Sequence, residues 1–305
     1  MHKSTFIFIV FSFLLLPFQQ LNGHLIQTIE VITCIAAIAI FGISHGAIDN
    51  HLYGFKSQKE NIKFIGVYVF SALCFGAFWY FSPDIAFASF LIISAYHFGQ
   101  SQFVEYIKTN RIFDRILFSS WGTWLLAAFI YSNRNELISS LGDSGLSLPV
   151  FSLLLTHASV IFIFSTIALI GLLFYFFFSG KIEMQKFFLE LYQLFAILFV
   201  FSISSPLLGF TLYFVILHSC RVLGHEFSFF KNLRKNFSFK AFVKLLLPFT
   251  AISISGLLIF LALLKYFNLS LSIPIVSLIF ISCLTFPHSL VMDIFYHKHR
   301  IKINS

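Results

Sequence analysis

Charged residues are scarce in this chain: they make up 10% of its 305 residues, while hydrophobic residues make up 58%. An ordinary soluble domain has about 25% charged and about 45–50% apolar residues. A soluble fold of this size cannot hide so much apolar surface from water. The composition therefore excludes a soluble enzyme, a nucleic-acid-binding protein and a disordered regulator, and it predicts a polytopic membrane protein.

Cysteine pairs with the CxxC spacing are absent from the sequence, as are internal repeats and low-complexity linkers. The four cysteines all lie inside apolar runs, so we interpret them as small buried hydrophobic residues. They are Cys34, Cys74, Cys220 and Cys283. No segment has the composition of a separate soluble domain, and we expect one integral membrane domain over residues 1–305.

Long apolar runs account for most of the chain. About 20 mainly apolar residues cross a bilayer as a helix, and ten runs approach or exceed that length. We therefore predict an all-α fold, a polytopic membrane helix bundle of about ten transmembrane helices. The predicted spans are residues 4–18, 27–46, 62–81, 85–103, 115–132, 150–178, 187–203, 206–224, 243–264 and 272–296.

Basic residues alternate between successive loops in a way that indicates topology. Of the 20 lysine and arginine residues, 17 fall before the first run, in or beside the even-numbered loops, or in the C-terminal tail. The odd-numbered loops contain only Arg134 and Lys265, and Arg221 lies inside a run. Because cytoplasmic loops carry an excess of Lys and Arg, we predict that both termini are cytoplasmic in a multi-pass protein of the cell (inner) membrane.

The first run has two interpretations. Residues 1–23 contain Lys3, an apolar core and a polar end, which suits either an additional N-terminal span or a signal peptide. In both cases the second run starts outside the cell, so the topology of the remaining chain is the same. We expect residues 27–296 to form the main helix bundle.

Histidine is frequent for so apolar a chain, with 11 residues. His45, His97, His218 and His288 lie toward the C-terminal ends of the second, fourth, eighth and tenth runs. All four of these runs cross from outside to inside in the predicted topology, so the four histidines lie at a similar depth near the cytoplasmic face. Polar groups inside a membrane face the bundle interior and need partners there.

A metal ion would satisfy such a group of histidines. Neutral imidazole suits iron, copper, zinc and nickel. The lack of thiolates and the scarcity of carboxylates nearby argue against structural zinc, calcium and magnesium, so iron that reacts with dioxygen fits best. Asp49 follows His45 by four residues and is a candidate partner for the second nitrogen of a histidine ligand. Arg221 could snorkel to the inner face or pair with Asp49, Glu226 or Asp293.

Four short segments resemble, in order and spacing, the Brp/Blh family of beta-carotene 15,15'-dioxygenases. Ser44–Asp49 resembles the family's Pro-His-Gly-Ala-x-Asp, with serine in place of the proline, and Tyr96–Gly99 resembles its His-Phe-Gly. His218–Arg221 resembles its His-Ser-x-Arg-His, and Thr285–Asp293 resembles its closing Pro-His segment followed by an aspartate. The resemblance covers nearly the whole chain after the first run.

This resemblance implies an integral membrane enzyme with non-haem ferrous iron, Fe(2+), as its cofactor. Such an enzyme adds dioxygen across the central 15,15' double bond of beta-carotene and releases two molecules of retinal, often for an opsin. The implied partners are beta-carotene, dioxygen, the lipid bilayer and a retinal-binding opsin, without nucleic acid. Residues 27–296 would then be the catalytic bundle.

The iron ligands that the resemblance implies are His45, His97 and His218. The family has its fourth ligand four residues after the third, and that position is Val222 here. We favour His225 as the replacement, because seven residues span close to two helical turns and bring it to the same face. His288 is the alternative fourth ligand. If it is not a ligand, His288 and Asp49 are candidates for residues that hold the ligands in place.

Aromatic side chains near these histidines are candidates for lining a polyene tunnel: Phe98, Phe103, Tyr213 and Phe214. Two other kinds of protein stay open at this point. Histidines on parallel helices can ligate haem, and Asp49 with His45 and His97 could form a proton relay in a membrane transporter. A di-iron hydroxylase is disfavoured, because the sequence has no HxxHH box.

Overall fold

The structure is a computed structural model that describes residues 3–19, 24–42, 44–53, 57–104, 107, 112–142, 148–266 and 273–299. All regular secondary structure within these residues is helical, as predicted. The α-helices are α1 (Lys3–Gln19), α2 (His24–Ala37), α3 (Asp49–Tyr53), α4 (Gln58–Phe81), α5 (Pro83–Phe103), α6 (Ile112–Ser132), α7 (Arg134–Gly142), α8 (Pro149–Thr156), α9 (Ala158–Phe178), α10 (Met184–Ile203), α11 (Pro206–Leu212), α12 (Cys220–Leu233), α13 (Phe239–Tyr266) and α14 (Ile273–His299). A π-helix (Ile38–Gly42) and a 3-10 turn (Ser44–Gly46) follow α2, and a second π-helix (Tyr213–Ser219) joins α11 to α12.

Seven helical segments in the described residues are long and apolar enough to cross a membrane, which indicates a membrane protein. They are Leu25–Gly42, Gln58–Phe81, Ala158–Phe178, Met184–Ile203, Pro206–Leu233, Phe239–Gly256 and Ile275–His297. The other three predicted spans are also helical, but the apolar part of α1 is only Ser4–Leu15, and α5 and α6 bury polar side chains. A helix that other helices surround tolerates polar groups that find partners inside the bundle.

Three boundaries differ from the expected ones. The run 150–178 is two helices, α8 and α9, which meet at His157. The stretch 133–149, expected to be a loop, contains α7, whose first turn includes Glu136, an acidic residue that suits a helix N-terminus. The eighth run continues as α12 because its later side chains, Phe229 and Phe230, are buried on one face.

The two π-helices pack against each other. A Cβ atom on Gly42 in the first would lie only 2.5 Å from Cε1 of Phe214 in the second. This close approach therefore requires a residue without a side chain at position 42. π-Helices are rare and are frequently found at functional sites. The first is followed closely by the turn that carries His45, and the second contains His218.

Two glycines allow α5 and α6 to cross at close range. A Cβ atom on Gly99 would collide with the carbonyl oxygen of Phe118, and one on Gly122 would collide with that of Ala95. Small residues let helix backbones approach each other in membrane proteins. The crossing holds α5, the helix that carries His97, in the interior of the bundle.

Gly99→Ala is expected to destabilise the protein by about 3 kcal/mol, the upper end of the usual cost of overpacking, because the methyl group must push two backbones apart. Gly171→Ala on α9 is the control: a Cβ atom there meets nothing within 4 Å, and alanine favours a helix over glycine by about 1 kcal/mol. Thermal unfolding in detergent should give a lower midpoint for the first variant only. Equal midpoints for the two variants would contradict the crossing.

Candidate metal centre

Three buried imidazoles meet inside the bundle. His97 on α5 lies between His218 of the second π-helix and His288 of α14, and the ring centroids are 5.0 Å apart in both pairs. The rings of each pair are close to perpendicular, and the three residues are 2–4% exposed. Three of the four histidines that the sequence places at a similar depth are thus in direct contact.

His218 is held by one hydrogen-bond partner and two aromatic rings. Its Nδ1 lies 3.1 Å from Oγ of Ser101 on α5. Phe214, in the same π-helix, stacks on its ring with centroids 5.5 Å apart, and Phe98 packs edge-on at 4.8 Å. These contacts fix the plane of the imidazole. Histidines that bind metals commonly use their other ring nitrogen for such a hydrogen bond.

Asp49 holds His288 in a corresponding way. Nδ1 of His288 lies 2.9 Å from Oδ2 of Asp49, and the Tyr68 hydroxyl donates to the same oxygen at 2.9 Å. Burial raises the pKa of the Asp49 carboxyl above its usual range, and the contacts with His288 and Tyr68 oppose this rise. A carboxylate that engages one nitrogen of a histidine is the usual support of a histidine metal ligand.

The 3-10 turn that carries His45 adjoins this pair. A Cβ atom on the next residue, Gly46, would lie 3.2 Å from Nδ1 of His288, so the backbone of the turn passes directly beside the His288 ring. The side chain of His45 lies outside the described part of the structure. The helix does not run on from His45 to Asp49; the chain turns, and α3 begins at Asp49.

His225 contacts a different part of α14. Its ring packs against Tyr296 with centroids 6.3 Å apart, and Tyr296 follows His288 by eight residues, about 12 Å along the helix axis. Val222, the family position of the fourth ligand, is fully buried in an apolar cluster. The described ring contacts therefore place His288, and not His225, beside His97.

Polar side chains on α5 join the site to α14. Tyr96 donates a hydrogen bond to Oδ1 of Asp293 at 2.9 Å, and Gln100 donates to the same oxygen at 2.6 Å. These two bonds set the register of the helices on both sides of the His97–His288 contact. The sequence does not reveal that Tyr96 and Gln100 bind Asp293. Its one signal is that these two polar residues lie four apart in an apolar run.

A second polar network lies next to His218. Arg221 donates to the amide oxygens of Gln102 and Gln193, and Gln102 donates to both carboxylate oxygens of Glu190 at 2.7 and 2.9 Å. Thr5 on α1 donates to Gln193 at 3.2 Å. The expected pairing of Arg221 with Asp49, Glu226 or Asp293 is wrong. Gln102 instead connects the guanidinium to the Glu190 carboxylate, for which the sequence offers no indication.

An apolar cavity of about 740 Å³ lies against the His288 side of the imidazole cluster. Its inner wall includes Gly46, Asp49, Phe214 and His288, and mostly apolar residues of α4, α13 and α14 form the remaining walls. Pockets that bind small molecules have volumes of about 300–1,000 Å³. An elongated apolar molecule in this cavity would touch the phenylalanine that stacks on His218.

The four aromatic residues predicted to line a tunnel have different positions. Phe214 lines the cavity, and Phe98 packs on the His218 ring. Phe103 and Tyr213 are buried in the main apolar core of the bundle. Only one of the four is therefore part of the cavity wall among the described residues.

The chemistry of the donor set suits a transition metal. The donors are imidazoles, which are suitable ligands for iron, copper, zinc and nickel. Ser101 and Asp49 lie within hydrogen-bond distance of the Nδ1 atoms of His218 and His288. Among the described side chains, no group of three or more His, Cys, Asp or Glu residues is arranged to hold an ion by itself. The turn that bears His45 passes beside the ring of His288.

The fold and the site define a helical membrane protein with a histidine-rich interior next to an apolar cavity. A family model for beta-carotene 15,15'-dioxygenase matches residues 36–296. The chain belongs to this family, which confirms the resemblance drawn from the four motifs and supports a carotenoid dioxygenase at the level of the family. No curated protein and no solved structure matches the chain.

Proposed function

We propose that this protein cleaves the central 15,15' double bond of beta-carotene with dioxygen and releases two molecules of retinal. The main support is the contact of three buried imidazoles beside an apolar cavity, in a chain of the beta-carotene 15,15'-dioxygenase family. One oxygen atom enters each product, so one molecule of dioxygen is consumed for each molecule of beta-carotene. Retinal released to the bilayer would be available to a membrane opsin.

We propose that the imidazoles of His97, His218 and His288 hold ferrous iron together with His45. When bound, the ion supplies the chemistry that activates dioxygen. His288 replaces His225 in this set, because its ring contacts His97. Because neighbouring oxygens engage Nδ1 of His218 and of His288, each would hold the ion through Nε2.

The protein's own contribution is to position the polyene and to keep water away. The cavity walls are mainly apolar, so beta-carotene is selected by shape and by its lack of polar groups. Phe214 faces both the cavity and the His218 ring, so a polyene bound in the cavity would lie next to the imidazole cluster. Exclusion of water protects the activated intermediate from side reactions.

For the topology, we propose ten spans with both termini in the cytoplasm. The alternation of Lys and Arg between loops supports this arrangement. α5 and α6 would be two of the spans, since each has 21 residues and lies inside the bundle, where its polar groups have partners. In this topology the imidazole cluster lies near the cytoplasmic face of the inner membrane.

The direct test is expression in a bacterium that accumulates beta-carotene, followed by chromatography of the extracted carotenoids and retinoids. We expect loss of beta-carotene and formation of retinal as the single cleavage product. Persistence of beta-carotene, with the protein confirmed in the membrane and iron supplied, would contradict the proposal. An absorbance band typical of haem in the purified protein would favour a haem protein instead.

Asp49→Asn is expected to lower the affinity for ferrous iron about 10–100-fold, the usual effect of losing the hydrogen-bond partner of a histidine ligand. Asp84→Asn is the matched control. It makes the same chemical change at a carboxylate that accepts a hydrogen bond from the backbone N–H of Val150 and not from a histidine. Titration of the purified variants with iron against a competing chelator measures the change. Equal affinities of the wild-type protein and Asp49→Asn would show that the carboxylate does not support an iron ligand.

A further inference from the structure

The apolar cavity is open on the side where α4 and α13 face each other. Val69, Leu73 and Ala77 line it from α4, and their spacing of four residues puts them on one face of the helix. Ile252 and Gly256 line it from α13 with the same spacing. Leu73 is 68% exposed and Ile252 is 67% exposed, so these two stripes form the mouth of the cavity.

Both stripes lie inside membrane-crossing segments. The α4 stripe belongs to Gln58–Phe81 and the α13 stripe to Phe239–Gly256. Exposed residues within such segments face the acyl chains of the bilayer. The mouth therefore opens into hydrocarbon, at a depth where an apolar molecule is dissolved and water is scarce.

The polarity of the cavity wall changes from the mouth to the inner end. The five residues of the mouth are aliphatic or glycine, while Asp49, Tyr68 and His288 are at the inner end. Asp49 and His288 are buried and lie within hydrogen-bond distance of each other. A ligand meets only aliphatic residues and glycine at the mouth, which suits a hydrocarbon.

Small residues widen the passage behind the mouth. Ala72 and Gly76 line the cavity on α4, next to Leu73 and Ala77, and Gly256 is opposite on α13. A Cβ atom on Gly256 would meet nothing within 4 Å. The side chains at these positions therefore take up little of the space between the two helices.

We propose that the gap between α4 and α13 is the portal through which beta-carotene enters the site directly from the bilayer. This inference rests on the proposed function, because it names the route to the same imidazole cluster. The substrate passes between the Val69–Leu73–Ala77 stripe and the Ile252–Gly256 stripe and reaches Phe214 and His288 at the inner end. Closing the gap blocks uptake of the substrate and leaves the metal site intact.

The test uses Leu73→Cys/Ile252→Cys in the full-length protein, with the four native cysteines replaced by alanine. The pair is joined with a bis-methanethiosulfonate cross-linker, which a reductant removes. The protein is then exposed to vesicles that contain beta-carotene. Three quantities are measured: bound carotenoid by absorbance, retinal by chromatography, and iron content.

Cross-linking is expected to lower both carotenoid uptake and retinal formation at least about tenfold, as expected for closure of an access gate, without changing the iron content. Removal of the cross-link should restore both. Phe70→Cys, exposed on α4 but outside the cavity wall, is treated with the same reagent as the control, and it should keep its uptake.

The three measurements separate this inference from the proposed function. Unchanged uptake in the cross-linked pair would overturn the portal, whatever the cleavage activity. Uptake without retinal formation in the uncross-linked protein would overturn the proposed function, while loss of uptake on cross-linking would still support the portal. If the uncross-linked protein takes up no beta-carotene, both are wrong.

Discussion

Formation of retinal from beta-carotene is expected to fall more than about 100-fold when His97 is replaced with alanine. His97 is the central ring of the cluster and contacts both His218 and His288. Loss of an outer hydrogen-bond partner of a metal ligand already costs about 10–100-fold, and loss of the ligand itself removes a bond to the ion. Iron content should fall together with activity.

The control for this experiment is His157→Ala. His157 is an exposed histidine at the junction of α8 and α9, so its removal changes the histidine count without touching the cluster. Both variants are compared for retinal formed per amount of membrane protein, for bound iron and for thermal midpoint. Full cleavage activity in His97→Ala, with a normal midpoint, would rule out the ligand set proposed here.

The meeting of the clustered histidines was predictable from the sequence, because the loop charges predict one direction for the runs that carry them. His97, His218 and His288 fall near the same ends of runs with the same direction, and the structure brings their rings together. The sequence favours His225 over His288 as the fourth ligand, whereas in the structure the His288 ring lies beside that of His97. This contact depends on how α14 packs against α5, which a single sequence does not show.

Hydropathy identifies the helices that face lipid better than those that bury polar groups inside the bundle. Among the described long helices, α5 and α6 are less apolar than the segments that could cross a membrane. Their buried faces include polar residues such as Gln102 and Asp114. The partners of these groups come from distant parts of the chain, as Gln102 and Glu190 do. A single sequence carries no signal for such a pairing, and it carries none for the π-helix that orients His218.

Glu190→Leu is expected to lower the free energy of unfolding by about 3–5 kcal/mol, the usual cost of removing one member of a buried charged network. Glu190 is fully buried and accepts both hydrogen bonds from the Gln102 amide. Without this carboxylate, the guanidinium of Arg221 loses the negative charge that Gln102 connects to it. Glu183→Leu, an exposed change at the start of α10, should stay within about 0.5 kcal/mol of the wild type.

The double variant Arg221→Met/Glu190→Leu is expected to recover most of the lost stability, because no unpaired charge then stays buried. Unfolding of the wild type, both single variants and the double variant forms a cycle, and we expect a coupling of several kcal/mol. Because Gln102 follows Ser101, the partner of His218, the single variants should also bind iron more weakly than the double. Additive losses of stability would show that Arg221 and Glu190 act independently, and the amide-linked network would then have no role in holding His218.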